Sequence, residues 1–139
     1  MVYVRQFYSS LSYIDKVLLT LLALIFFHLI ADFILQTPFI AKYKQKKSWE
    51  EYNESGKYTY DYLNILIDHS FIWSFFTFLP LLIMFNDVIL YAIIVIVNMI
   101  IHAYIDDLKA NKLKINLIID QTLHIFQIVL SLIVCLFIY

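Results

Sequence analysis

Four stretches, each long and apolar enough to meet the ~20 residues a helix needs to cross a bilayer, take up most of this 139-residue chain. They run over residues 17–37, 62–85, 88–107 and 115–139. In hydrocarbon every backbone amide and carbonyl must be satisfied without water, so segments of this kind are expected as α-helices. The fold class that follows is all-α, an integral membrane four-helix bundle forming a single domain over residues 1–139. The chain is 63% hydrophobic and only 15% charged, whereas soluble domains run at about 45–50% and about 25%.

The connections are legible from their breakers. Pro38 is expected to end the first span, because it lacks an amide proton and disfavours helix in the residue before it. Asn86-Asp87 reads as a tight turn that makes the second and third spans an antiparallel hairpin, and a short polar segment over 108–114 joins the third to the fourth. The longest connection, 38–61, carries Lys42, Lys44, Lys46, Lys47 and Lys57 with Glu50, Glu51 and Glu54, and a short surface helix is expected near 48–53. Residues 1–16 do not read as a signal peptide, since the following apolar run is too long and lacks a small-residue cleavage site. They are expected as an interfacial segment with Tyr3, Phe7, Tyr8 and Tyr13 at headgroup level.

Basic residues orient the bundle. The 38–61 and 108–114 loops share one face and hold those five lysines together with Lys109, Lys112 and Lys114, whereas only Arg5 and Lys16 lie on the other side. The positive-inside rule then makes both loops cytoplasmic and both termini extracytoplasmic, in a multi-pass protein of a bacterial inner membrane. The net charge of −1 argues against nucleic-acid binding by bulk electrostatics. Cys135 is the only cysteine, so there is no internal disulfide and no cysteine-based zinc site, and any metal must be held by nitrogen and oxygen.

Ionisable residues inside membrane helices are costly, at ~2.5–3.5 kcal/mol for a carboxylate near the helix centre, and each needs a reason. All four histidines lie inside the spans. His28 and Asp32, His102 and Asp106, and Asp120 and His124 form i,i+4 pairs, which places both members on one helix face. Measured from the lysine-rich end, His28 and Asp32 fall at depths of ~13 and ~8 Å, His69 at ~10 Å, His102 and Asp106 at ~9 and ~3 Å, and Asp120 and His124 at ~8 and ~13 Å. Four helices thus bring imidazole or carboxylate to one layer.

Imidazole and carboxylate suit Zn²⁺, Mn²⁺ or Fe, and helix bundles build two-metal centres from such paired ligands. His28, Asp32, His69, His102, Asp106, Asp120 and His124 make seven candidate ligands, too many for one tetrahedral ion and suited to two divalent ions, zinc foremost, with manganese or iron as alternatives. Gln36, Asn98 and Asn116 lie four residues from a ligand and, with Gln121, are candidates to orient ligands or bind substrate. Lys109 could meet an anionic substrate at the mouth, and Asp68, offset ~100° from His69 on its helix, could serve as general base. A metal-free buried polar network and haem ligation are the competing readings, although haem would leave three i+4 carboxylates unexplained.

The run from His28 through Asp32 and Gln36, followed by His69, His102-x-x-x-Asp106-x-x-Lys109 and Asp120-Gln121-x-x-His124, resembles an uncharacterised bacterial membrane-protein family known as a domain of unknown function, over about residues 22–128. The His28-x-x-x-Asp32 pair is also similar to the zinc-binding motif of the zinc-dependent phospholipase C and P1-type nuclease superfamily, although Gln36 stands one place later than the glutamine there. LexA-regulated inner-membrane hydrolases share the same theme within membrane spans. What the last two resemblances imply is a metal-dependent hydrolase, whereas the uncharacterised family carries no established activity.

The expected function is therefore hydrolysis of a phosphoester at a site opening to the cytoplasm. The substrate would be an amphiphilic or phosphorylated small molecule: a phospholipid, a lipid-linked phosphate or a nucleotide. The lipid bilayer is the expected surrounding partner, and self-association is left open. The alternatives are a metal-ion or proton-coupled transporter, and a structural or regulatory subunit with a structural metal. No acidic, basic or histidine side chain lies in 71–85 or 88–101, so that half of the bundle is expected to be dry, which favours a one-sided site.

Overall fold

A computed structural model describes residues 7–8, 10–50 and 57–139. Expectations for Tyr3 and Arg5, and for the surface helix beyond Glu50, fall outside the described residues. Among the described residues there are helices and no strand: α1 (Tyr13–Phe33), α2 (Pro38–Tyr43), α3 (Lys47–Glu50), α4 (Asp61–Phe85), α5 (Val88–Ala110) and α6 (Leu117–Ile138). Of these, α1, α4, α5 and α6 are long and apolar enough to cross a membrane.

The helix ends follow local chemistry. Ser12 caps α1 by accepting from the Asp15 amide at 3.2 Å while its hydroxyl donates to the Asp15 carboxylate at 2.6 Å, so the helix starts at Tyr13 rather than near residue 17. It stops at Phe33, short of Pro38, because Thr37 adopts an extended backbone and caps α2, with Pro38 in the first turn of that helix. The hairpin turn forms at Asn86, whose left-handed backbone (φ 54°) suits asparagine. Asp87 then caps α5 by accepting from the amides of Ile89 and Leu90, both at 2.9 Å. The Tyr139 hydroxyl also donates to Asp87 and holds its carboxyl below the usual range, tying the end of α6 to the hairpin.

The four long helices close into a ring in which α1 packs on α4, α4 on α5, α5 on α6 and α6 on α1. The outside is apolar: Leu22, Phe26, Ile89, Ile118 and Phe126 are each more than half exposed. A contiguous apolar exterior of this extent would be an aggregation hazard in water and is satisfied by lipid. Inside, Leu24, Trp73, Phe78, Leu81, Ile128 and Cys135 form the centre of a hydrophobic core. Between that core and the lysine-rich end lies a buried polar layer.

Candidate metal centre

All seven expected ligands point into the bundle, and the least buried, Asp32, is only 7% exposed. The i,i+4 spacing stacks each pair on the inner face of its helix, so α1, α4, α5 and α6 all contribute. His102 of α5 lies at the centre, with no exposed surface. Its Nε2 is 3.4 Å from His69 Nε2 and its Nδ1 is 3.2 Å from His124 Nδ1. Two triads, Asp32–His69–His102 and His102–Asp106–His124, each have ligand atoms within 4.8 Å of one another.

The spacings have a chemical meaning. His69 Nε2 lies 3.5 Å from Asp106 Oδ2 and 3.8 Å from Asp32 Oδ1, and His102 Nε2 lies 3.9 Å from Asp106 Oδ2. On the other side His124 Nε2 is 3.7 Å from Asp106 Oδ1 and 3.5 Å from Asp120 Oδ1. These separations exceed the ~2.7–3.2 Å of N–H···O hydrogen bonds. They lie close to the ~3.3 Å edge of a tetrahedron of ligands ~2.0–2.1 Å from a zinc ion. His124 Nε2 and Asp120 Oδ1 are buried without a hydrogen-bond partner, which a self-sufficient polar network would not leave. The donor set therefore fits a divalent cation. Asp106 turns one oxygen to His69 and His102 and the other to His124.

His28 sits beside both triads. Trp73 Nε1 donates to His28 Nδ1 at 3.0 Å, so the neutral ring keeps its proton on Nε2 and offers no free lone pair. Its Nδ1 is 4.0 Å from Asp32. In this tautomer His28 is a donor beside the candidate ligand atoms of Asp32, His69, His102, Asp106 and His124, with Asp120 next to His124.

Two residues missed in the sequence belong to the site. Trp73 stacks on the His102 ring with centroids 4.1 Å apart, and its place four residues after His69 on one helix face was the available signal. Lys44 is buried and bonds Asp106 Oδ2 directly, whereas Lys42, Lys46 and Lys47 around it are exposed. Nothing in the lysine run distinguishes it. Its placement depends on α2 folding back, with Asn111 accepting from the Lys46 amide at 2.7 Å and donating to the Lys44 carbonyl at 3.3 Å.

The expected supporting residues divide. Gln121 donates to Asp32 at 2.9 Å and to Asp120 at 3.2 Å, and Lys109 reaches Asp120 Oδ2 at 2.7 Å. Gln36 donates to the Asp32 carbonyl at 3.2 Å, and its own oxygen is buried without a partner. Asn98 lies a turn away from the cluster and clasps Ser131, at 3.0 and 3.1 Å, so it joins α5 to α6 rather than orienting a ligand. Asn116 is exposed and caps α6 by accepting from the Ile119 amide. Asp68 is exposed on the outside of α4, because one residue from His69 turns it away from the interior.

A cleft of about 320 Å³ opens at the lysine-rich end, lined in part by Gln36, Lys44, Gln45, Asp106 and Lys109. It leads from the surface to the carboxylate that both triads approach. The half expected to be dry does hold buried polar side chains, among them Thr20, Ser74, Thr77, Asn98 and Gln127, none of them charged.

No curated protein and no solved structure matches this chain. A family model described as "Protein of unknown function (DUF3307)" matches residues 19–138, nearly the whole chain. The chain belongs to the DUF3307 family.

Proposed function

We propose that the chain is a membrane-embedded, metal-dependent hydrolase of a phosphoester. The observation that carries this reading is Asp106, whose two oxygens face separate imidazole groups, as a carboxylate shared by two cations does. Asp32, His69 and His102 would complete one site with Asp106, and Asp120 and His124 the other. Zinc suits this nitrogen and oxygen set best, with manganese or iron as alternatives. When bound, such ions polarise a phosphoryl oxygen and make water acidic near neutral pH.

The chain's own residues divide the remaining work. Lys109 and Gln36 stand at the cleft and would bind the phosphoryl oxygens, while Gln121 holds Asp32 and Asp120 in orientation. With Asp68 outside the bundle, proton transfer would fall to an oxygen of Asp32 or Asp120. Three carboxylates against two lysine ammonium groups leave one negative charge, and two divalent ions would reverse it strongly. A site with that surplus favours an anionic substrate. The His-x-x-x-Asp pairs also resemble those of zinc-dependent phospholipases and nucleases. We place the cleft on the cytoplasmic side of a bacterial inner membrane, facing a phospholipid, a lipid-linked phosphate or a nucleotide, because the lysines cluster there.

Metal content of the purified full chain, together with phosphate release from phosphatidate before and after chelation, tests the reading. The expected result is at least one zinc-class ion per chain, with hydrolysis lost on chelation and restored by the metal. Fewer than one ion per chain, or turnover indifferent to chelation, overturns it. Ser74 and Thr77, buried with unpartnered hydroxyls in the other half of the bundle, favour a second reading, a cation or proton transporter. A flux in liposomes without hydrolysis would select that one.

A further inference from the structure

Lys44 raises a conflict that points to how the site is loaded. Its ammonium bonds Asp106 Oδ2, the same oxygen that faces His69 Nε2 at 3.5 Å and His102 Nε2 at 3.9 Å. An ammonium held at that oxygen competes with a divalent cation for it, because the two positive charges would lie a few ångströms apart with their repulsion only partly screened. Lys109 competes less directly. It bonds Asp120 Oδ2, whereas Asp120 Oδ1 is the oxygen facing His124, so it can stay in place when a cation arrives.

Lys44 has somewhere to go. It lies at the C-terminal end of α2, lines the open cleft, and carries a flexible four-carbon stem. Beside it in the cleft are Lys109, Gln45 and Gln36, whose buried side-chain oxygen has no partner. A Lys44 displaced from Asp106 would join Lys109 there as a pair of cations at the mouth of the site.

We propose that Lys44 is an exchangeable counter-ion: it neutralises Asp106, yields that oxygen to a divalent cation, and then binds the phosphate of a phosphomonoester in the cleft together with Lys109. This rests on the metal reading given under Proposed function. Its consequence is reciprocal coupling. A cation binding alone must displace Lys44 and then face its charge, whereas a dianionic phosphate gives that charge a partner. Cation and phosphate therefore strengthen one another's binding, and by linkage the effect is equal in both directions.

The test is zinc titration of the full chain in phosphatidylcholine nanodiscs, with and without methylphosphonate, and in nanodiscs that contain phosphatidate. Wild-type zinc affinity is expected to rise about tenfold with one of these phosphate sources. A shift with methylphosphonate indicates a soluble ligand, and a shift with phosphatidate alone indicates a lipid headgroup; either supports the proposal. Lys44→Gln is expected to bind zinc about tenfold more tightly than wild type without phosphate, and to lose most of the coupling. Lys44→Arg keeps the charge and is expected to keep the coupling, which separates the charge from any folding role. Zinc binding by wild type that neither phosphate source shifts overturns this proposal alone. So does a Lys44→Gln variant that binds zinc more weakly than wild type. A wild type that binds no zinc overturns the metal reading itself.

Discussion

His102 differs from every other residue of the cluster in having both ring nitrogens turned toward other imidazoles, and it belongs to both triads. Trp73 covers its face, so the ring cannot swing out without unpacking the core. His28, by contrast, has its Nδ1 committed to the Trp73 indole. The two histidines are therefore expected to behave differently on truncation. His102→Ala should weaken zinc binding by about 100-fold or more, and His28→Ala, which removes a neighbour of the ligands, by about tenfold. Competition with a fluorescent zinc chelator measures both. Equal losses would mean that His28 is a ligand after all and that Trp73 yields its bond when metal is present.

At the scale of elements, the segment that carries Lys44 is tied to α5 by the Lys44 ammonium on Asp106 and by the Asn111 side chain. Asn111, at the end of α5, accepts from the Lys46 amide and donates to the Lys44 carbonyl and to Asp107. Further bonds inside the segment, Ser48 to the Lys42 carbonyl and Trp49 to the Tyr43 carbonyl, make it a folded cap. Removing the Asn111 link, with Lys44 on Asp106 as the remaining tie, should let the cap open more often while the long helices stay intact. Asn111→Ala is expected to speed trypsin cleavage at the exposed Lys46 and Lys47 by about tenfold, since cleavage tracks the open population and these bonds contribute about 1–2 kcal/mol together. Unchanged cleavage would show that the Lys44–Asp106 pair and the cap's own bonds hold it without Asn111.

Features set within one helix or one turn are legible in the sequence, and contacts between distant elements are not. The i,i+4 pairs and the Asn86-Asp87 turn are local rules of one helix or one turn, and they carry over to three dimensions unchanged. Asn116 satisfied the face rule for Asp120 but also the stronger preference of asparagine for a helix cap, and the cap won. Lys44 needed a contact across 62 residues, to Asp106, that no local pattern encodes. His28 shows a subtler limit, because periodicity placed the ring correctly whereas its tautomer depends on the Trp73 indole from another helix.

For the molecule as a whole, the arrangement inverts that of a soluble bundle: apolar side chains face outward, and the buried layer near one end is polar. Helices of 21 to 25 residues would span ~32–38 Å, enough for a ~30 Å hydrocarbon core with modest tilt. Both the cleft and the lysines lie at the same end, but Lys44 and Lys109 are bound to carboxylates of the site and contribute less net charge to the membrane surface than a count of basic residues suggests. Six other lysines at that end, Lys42, Lys46, Lys47, Lys57, Lys112 and Lys114, still outnumber Lys16 and Arg5, which supports the proposed cytoplasmic orientation of the cleft. Because Cys135 is buried, one added surface cysteine reports cleanly on this orientation. Lys46→Cys, beside the cleft, should react with a membrane-impermeant maleimide only after bacterial cells are lysed, and Val88→Cys, at the opposite end, should react in cells whose outer membrane alone is permeabilised. The reverse pattern would place the site on the periplasmic side. Its substrate would then have to be an outer-leaflet lipid or a periplasmic phosphoester, and cytoplasmic nucleotides would be excluded.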